Sequence, residues 1–262
     1  MKGQNKMKKL TAVILSLILA LSLFSVTAFA ADSSANVYVT ISSKGNTLDM
    51  AYVSVSVTDI DGDGALTIND ALYCAHEKAY KGGAAEGYKS SVTVWGLSLM
   101  KLWGVENGGS FGYYVNNSSA WSLRDKVNEG DHVYAFVYSD TEDLSDSYSF
   151  FTETTATADQ GQAITVSLKK LSYNALWILE ESPVEGAVIT VDGKATKVKT
   201  DAEGNATVTL TKKGRHIVSA QSPEGEIITP PVCEVTVNSN ISSLISYYFR
   251  LIISSILSIF GK

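Results

Sequence analysis

The sequence predicts a mainly β protein with an α+β N-terminal domain, a small antiparallel β-sandwich and a hydrophobic C-terminal helix. Short segments alternate apolar and polar residues with a period of two, as half-buried strands do, and turn residues such as Gly, Asn and Asp separate them. One segment near residue 70 has the spacing of an amphipathic helix. The predicted divisions are a signal peptide (1–30), the α+β domain (31–170), the sandwich (171–237) and the C-terminal helix (238–262).

The first thirty residues have the features of a secretory signal peptide. Four lysines within the first nine residues precede an apolar stretch from Leu10 to Val26, and Ala28-Phe-Ala30 is a small-x-small cleavage site. Removing the peptide takes away four lysines and no acidic residue, which leaves 17 basic against 27 acidic side chains and a formal net charge of −10. An acidic chain repels nucleic acid and anionic lipid. We therefore expect a secreted or cell-surface protein with no nucleic-acid partner.

The α+β domain is predicted to begin with a β-hairpin. Residues 36–42 and 49–58 alternate apolar and polar side chains, and Gly45-Asn46 lies between them as a turn. In residues 68–79 apolar side chains recur every three or four positions, and Gly82-Gly83 follows them. The sequence thus predicts a strand, a loop and a helix in succession.

The loop between this hairpin and the helix has the pattern of an EF-hand calcium loop. Such a loop supplies oxygen ligands from positions 1, 3, 5, 7, 9 and 12, and its backbone turns sharply at a Gly in position 6, here Gly64. Four carboxylates this close repel one another unless a cation lies among them. The predicted Ca²⁺ ligands are Asp59, Asp61, Asp63, the backbone carbonyl of Ala65, Thr67 and Asp70. An Asp- and Gly-rich turn that binds no metal is the alternative.

The loop also resembles the loops of dockerins, the modules that dock onto cohesins in cellulosomes, which share an Asp at position 12. This resemblance implies a component of an extracellular carbohydrate-degrading assembly. A dockerin has two such loops, and the sequence contains no second one.

An aromatic and glycine-rich region follows the helix. The segments Phe111-Gly-Tyr-Tyr-Val-Asn-Asn117, Leu123-Arg-Asp-Lys-Val127 and Glu129-Gly-Asp131 resemble the transcobalamin C-terminal-like domain of secreted bacterial proteins. The resemblance covers residues 36–170 and implies a small β-grasp-like sheet with one helix.

Some aromatic side chains of this region are candidates for ligand binding, because exposed Trp and Tyr rings stack on sugars or planar ligands. Neighbouring residues of a strand face opposite sides of the sheet, so one of Tyr113 and Tyr114 points each way. We take Tyr113, Tyr114 and Trp121 as the candidates. The expected ligand is a glycan or a protein.

The predicted sandwich consists of short alternating runs separated by Asp-Gly, Glu-Gly-Asn and Lys-Gly turns. The runs Val188-Ile-Thr-Val-Asp-Gly193 and Thr200-Asp-Ala-Glu-Gly204 are similar to carboxypeptidase-regulatory-like and bacterial immunoglobulin-like repeats. That resemblance implies a role in presentation and adhesion.

The C-terminal segment 241–262 is apolar except for a narrow polar stripe. Its polar residues recur every four positions, which places them on one side of a helix. They are Ser242, Ser246, Arg250, Ser254 and Ser258. The apolar flanks need to be buried, and the sequence leaves open whether a membrane, a partner or a second copy of the chain buries them.

The sequence predicts no catalytic residues. The three histidines, His76, His132 and His216, lie on separate predicted elements, and no phosphate-binding or zinc-binding motif is present. Whether Cys74 and Cys233 form a disulfide is left open. We expect a secreted or cell-surface calcium-binding protein that acts as a binding or adhesion module, and the alternative is a dockerin-like or accessory component of a carbohydrate-degrading assembly.

Overall fold

The computed structural model describes residues 34–43, 45–173 and 178–239, and every structural statement below refers to these residues. The predicted signal peptide and the predicted apolar tail 241–262 lie outside them. Asn238, which we predicted to begin the tail, is the last residue of a strand. No helix within the described ranges is long and apolar enough to cross a membrane.

The first sheet has five strands, which pair in the order β2 (Met50–Thr58), β1 (Ser34–Ser42), β7 (His132–Val137), β5 (Phe111–Val115) and β6 (Ser118–Ser119). The strands β1 and β2 form the predicted antiparallel hairpin, and β1 pairs in parallel with β7.

A single long helix, α1 (Ile68–Ala79), packs on one face of this sheet. Thr67 caps its N-terminus in a capping box with Asp70, which satisfies two backbone N–H groups that the helix leaves free. The helix residues Ile68, Ala71, Leu72 and Ala75 are fully buried in a core shared with β1, β2 and β7, whereas Ala79 at the end of the helix is exposed. A short helix α2 (Gly83–Gly87) and a separate hairpin, β3 (Lys89–Thr93) with β4 (Gly96–Lys101), follow in the chain. We call residues 34–138 the N-terminal module.

The remaining strands form two sheets that face each other across a second core. One sheet contains β8 (Tyr148–Phe151), β10 (Ala163–Tyr173), β11 (Leu179–Pro183) and β14 (Asn205–Thr209). The other contains β13 (Lys194–Lys199), β12 (Val188–Val191), β15 (Gly214–Gln221), β16 (Cys233–Asn238) and β9 (Thr155–Asp159), in that order. We call these strands the sandwich. The division predicted between residues 170 and 171 falls inside β10, whose partners are all sandwich strands. The prediction of a mainly β fold is confirmed.

The second face of the first sheet is covered by the sandwich. Alternate residues of β7, beginning with Val133, point to the α1 side, and the residues between them join a third cluster of buried side chains. We call that third set the junction cluster, and it consists of Tyr114, Tyr134, Phe136, Tyr148 and Phe150. Because both of its faces are covered, every residue of β7 is buried.

Candidate functional site

The predicted calcium loop connects the end of β2 to the start of α1. One carboxylate oxygen from each of Asp59, Asp61 and Asp63 lies within 4.8 Å of the others. Backbone N–H groups hold this arrangement: those of Gly62 and Gly64 donate to the two carboxylate oxygens of Asp59 at 2.7 and 2.8 Å. Gly64 has a φ of +83°, a conformation that favours glycine. Three of the predicted ligands are therefore brought together.

The predicted ligands Thr67 and Asp70 are linked to each other at the start of the helix. Asp70 is fully buried, and its Oδ2 accepts hydrogen bonds from the backbone N–H of Thr67 at 2.8 Å and from the Thr67 hydroxyl at 2.6 Å. Its Oδ1 accepts from the backbone N–H of Ile60 at 3.0 Å, so Asp70 ties the beginning of the loop to the helix. A carboxylate has about four lone-pair sites, so these three bonds leave acceptor capacity.

The carboxylates in the loop repel one another. Burial, followed by repulsion from Asp63 and Asp70, raises the pKa of Asp61. The hydrogen bond from the Gly64 N–H, with others from the loop backbone, lowers the pKa of Asp59. A hard divalent cation prefers such oxygen ligands and would relieve the repulsion that Asp61 experiences. The chemistry of these donors fits Ca²⁺.

The end of the loop is hydrogen-bonded to the connection that precedes β7. The backbone N–H groups of Ile68 and Asn69 donate to the carbonyls of Asp125 and Leu123 at 3.0 and 2.9 Å. In return, the N–H of Val127 donates to the carbonyl of Leu66 at 2.9 Å. The loop thus supports the segment that directly follows Trp121.

The three aromatic candidates have different surroundings. Tyr114 belongs to the junction cluster, where its ring stacks on Tyr148 with centroids 3.7 Å apart. Tyr113 is half-buried against the α1 core, and burial raises the pKa of its phenol. Trp121 is 91% exposed. Tyr114 is only 8% exposed, because the sandwich covers its face of the sheet, but together with Tyr148 it lines a cavity of about 430 Å³.

The structure adds a residue that sequence reasoning missed, Trp95, which is 84% exposed. It lies with Val94 in the two-residue turn between β3 and β4, and Val92 and Val94 are also exposed. The signal in the sequence was a pair of large apolar residues before Gly96, where a hairpin turn is expected to be polar. We call the set Val92, Val94, Trp95 and Trp121 the tryptophan surface.

The segments that carry Trp95 and Trp121 contact each other. Ser122 Oγ and the Leu123 N–H both donate to the carbonyl of Leu97, at 3.3 and 3.0 Å. The backbone of Gly96 lies against the Ser122 side chain, close enough that a β-carbon there would be 3.3 Å from the Ser122 Oγ. The residues directly after Trp95 and Trp121 are therefore in contact.

The three histidines are held apart in three different settings. His76 is fully buried, with its Nδ1 2.6 Å from the Leu72 carbonyl and its Nε2 accepting the Trp103 N–H at 3.0 Å, which defines a neutral ring. His132 pairs through Nε2 with the Thr40 hydroxyl at 2.8 Å, and burial lowers its pKa to about 4.

Each ring nitrogen of His216 lies within hydrogen-bond distance of an acceptor oxygen. Its Nδ1 is 2.8 Å from Asp192 and its Nε2 is 2.8 Å from the Lys212 carbonyl. A neutral imidazole donates from only one nitrogen, so this setting favours the protonated ring, and the hydrogen bond with Asp192 raises the His216 pKa. The cysteines Cys74 and Cys233 are both free thiols, and burial raises the pKa of Cys233 to about 12.

A cavity of about 510 Å³ lies between the β1–β2 turn and the outer face of strands β12 and β15. Its walls include Leu48, Thr190 and Ile217. Ser219 also lines the cavity, and its hydroxyl is buried with no hydrogen-bond partner among the described residues.

No family model matches the chain, and no curated protein matches it. Solved structures to which the chain is similar include the N-terminal four Ig domains of Dscam1 isoform 6.9, with 12% sequence identity and a TM-score of 0.23. That match covers 58% of this chain and 42% of the Dscam1 chain. The corresponding structure of Dscam1 isoform 4.4 gives 12% identity, coverage of 79% and 47%, and a TM-score of 0.23. The chain spans less than half the length of these structures.

Proposed function

We propose that this chain is a secreted or cell-surface calcium-binding module that binds a ligand outside the cell. The clustering of Asp59, Asp61 and Asp63 where β2 gives way to α1 carries the proposal. These carboxylates would hold the ion with the Ala65 carbonyl, Thr67 and Asp70, and the ion would neutralise charges that otherwise repel. The predicted signal peptide supports a location outside the cell, where free calcium is available.

In this proposal calcium has a structural role. The loop is linked through Leu66, Ile68 and Asn69 to residues 123–127, next to the exposed Trp121. An ion that stabilises the loop therefore also stabilises the base of the tryptophan surface. The strand order of the first sheet and its one long helix support the β-grasp-like resemblance of this module.

Isothermal titration of the full-length secreted protein with CaCl₂ tests the proposal. We expect one saturable site in the wild type and none in the double variant Asp59→Ala with Asp63→Ala. The matched control is Glu142→Ala with Asp143→Ala, which removes the same charge from an exposed acidic loop and should leave calcium binding unchanged. Calcium binding that survives in the loop variant would refute the assignment.

Under the same proposal the protein is a binding protein and not an enzyme. His76 and His132 are buried, His216 is engaged at both nitrogens, and the two cysteines lie in different cores. General acid–base and nucleophilic catalysis require such groups within hydrogen-bond reach of one another and of a substrate. A hydrolytic turnover abolished by His132→Ala in purified, folded protein would contradict this.

The dockerin-like or accessory role stays a second prediction. Among the described residues, one set of three acidic side chains has the spacing to hold a metal ion, whereas dockerins carry two loops. Binding of the purified chain to a cohesin in the presence of calcium would favour that role. Attachment to a membrane or self-association through residues 241–262 is likewise a prediction, which deletion of that segment followed by fractionation and light scattering tests.

A further inference from the structure

We propose that the tryptophan surface binds a neutral polysaccharide, with the rings of Trp95 and Trp121 stacked on the faces of sugar units. This inference rests on the proposed binding function and names its ligand class. It is carried by the exposure of two large rings on two segments that are in contact with each other. Rings that are more than four-fifths exposed have both faces open, as stacking on a sugar requires.

The turn that carries Trp95 is preformed. The Thr93 hydroxyl donates to the carbonyl of Gly96 at 3.1 Å and also accepts the backbone N–H of Trp95 at 3.1 Å. It is also 3.0 Å from the hydroxyl of Ser98. These bonds hold an apolar tip in a position where hairpins usually place Asn, Asp or Gly. A fixed ring binds a ligand with less loss of conformational entropy than a mobile one.

The segment that carries Trp121 is fixed as well. Its backbone N–H donates to the carboxylate of Asp125 at 2.8 Å, and Leu123 just beyond it is fully buried. The two tryptophans therefore project from neighbouring, well-anchored segments. Neither ring contributes to either core, so stability does not account for their presence.

The charge around the surface indicates a neutral ligand. Residues 90–100 and 107–123, the two segments that carry the rings, contain no Asp, Glu, Lys, Arg or His. The first charged residues after Trp121, Arg124 and Asp125, are of opposite sign, and the net negative charge of the chain repels the phosphates or carboxylates of an acidic polymer. The same two segments carry the exposed residues Ser91, Ser118 and Ser119, whose hydroxyls can exchange hydrogen bonds with sugar hydroxyls.

Affinity electrophoresis of the full-length secreted protein tests the inference. Native gels would contain hydroxyethylcellulose, xylan, galactomannan or laminarin as neutral probes, and polygalacturonate as an acidic one. The variants are Trp95→Ala, Trp121→Ala and their combination. The aromatic replacements Trp95→Phe and Trp121→Tyr retain a ring, and Leu144→Ala removes an exposed apolar side chain elsewhere.

We expect retardation by at least one neutral polysaccharide and none by polygalacturonate. The double Ala variant should lose affinity by about tenfold or more, as buried aromatic contacts do when truncated. Its melting temperature should be unchanged, while the aromatic replacements and Leu144→Ala should retain most of the binding. Equal retardation of the double Ala variant would overturn the inference.

Retardation by none of the neutral probes would also overturn it. Binding to phosphatidylcholine vesicles alone would also overturn the inference, because it identifies a lipid surface as the occupant. Concentration-dependent self-association that the double Ala variant abolishes would do the same, because it identifies a second copy of the chain. Calcium titration of the same samples separates this failure from failure of the proposed function. A chain that binds calcium but no neutral polysaccharide loses only the ligand class.

Discussion

Two groups of aromatic side chains in this protein have opposite surroundings. In the junction cluster, Tyr134 and Phe136 are about 1% exposed and lie with Tyr148 of the sandwich. In the tryptophan surface, Trp95 and Trp121 are 84% and 91% exposed. In this module the aromatic residues on the sheet faces are packed in a core, whereas those in the turns and connections at the edge are exposed to solvent.

The two groups also differ in their polar contacts. The Tyr134 hydroxyl donates to the Pro230 carbonyl at 2.7 Å, and the Tyr148 hydroxyl donates to the Asn117 side chain at 2.8 Å. Buried phenols with such partners fix how the N-terminal module meets the sandwich. No hydrogen bond of the Trp95 or Trp121 ring is found among the described residues, which leaves their indole N–H groups to solvent or ligand.

Removal of a junction side chain should have the largest effect on stability. Phe136→Ala leaves a cavity in the junction cluster and should lower the free energy of unfolding by about 3–5 kcal/mol. Urea denaturation followed by tyrosine fluorescence and circular dichroism measures it. A loss below about 1 kcal/mol would mean that the cluster is not packed as a core.

Acid should weaken the junction through His132, which lies on the same face of β7 as Tyr134. Its folded pKa of about 4 is below the unfolded value of 6.5. Its contribution to stability is therefore complete above pH 6.5 and decreases as the pH falls toward 4, by roughly 3 kcal/mol in total.

The measurement for His132 is the free energy of unfolding at several pH values between 7 and 4. His132→Gln can keep a hydrogen bond to Thr40 and cannot titrate. The stability of this variant changes with pH only through the other ionisable groups, chiefly the carboxylates, so the difference between the two curves isolates His132. We expect the wild type to lose more stability than this variant over that range. Parallel curves would contradict the buried, neutral state of His132.

Calcium should stabilise the Asp59–Asp70 loop and, through its hydrogen bonds to residues 123–127, the base of the tryptophan surface. At 100 times its dissociation constant, an ion that binds only the folded state adds about 2.7 kcal/mol. Differential scanning calorimetry with CaCl₂ and with chelator should show a higher melting temperature in calcium for the wild type. The same rise in the variant Asp59→Ala with Asp63→Ala would show that the loop is not the site.

Truncation of the exposed rings should have the smallest effect on stability. Trp121→Ala and Trp95→Ala should each change the free energy of unfolding by no more than about 0.5 kcal/mol, because neither ring is packed. Urea denaturation under the conditions used for Phe136→Ala gives a direct comparison. A loss near that of Phe136→Ala would show that part of the chain covers the rings.

The sequence predicted the local elements well. Alternation in residues 36–42 and 49–58 predicted β1 and β2, and the apolar spacing in residues 68–79 predicted the helix with its bounds. The Asp spacing from residue 59 placed three carboxylates in one loop before any contact was known. Each of these features depends on residues close together in the chain, and their period or spacing is visible in the sequence.

The tertiary structure decided which faces are covered and which strands pair. Strand β10 joins β8, β11 and β14, and β9 pairs in parallel with β16, although these partners are up to about eighty residues apart. Tyr114 is buried because Tyr148 lies on it, whereas Trp121, seven residues later, is exposed. Alternation identifies two faces of a strand but not what packs on each of them, since that depends on contacts between distant segments. The sequence by itself therefore determined the first hairpin, the helix and the acidic loop, and the packing of the sandwich against the first sheet decided which aromatic residues are buried and which stay exposed.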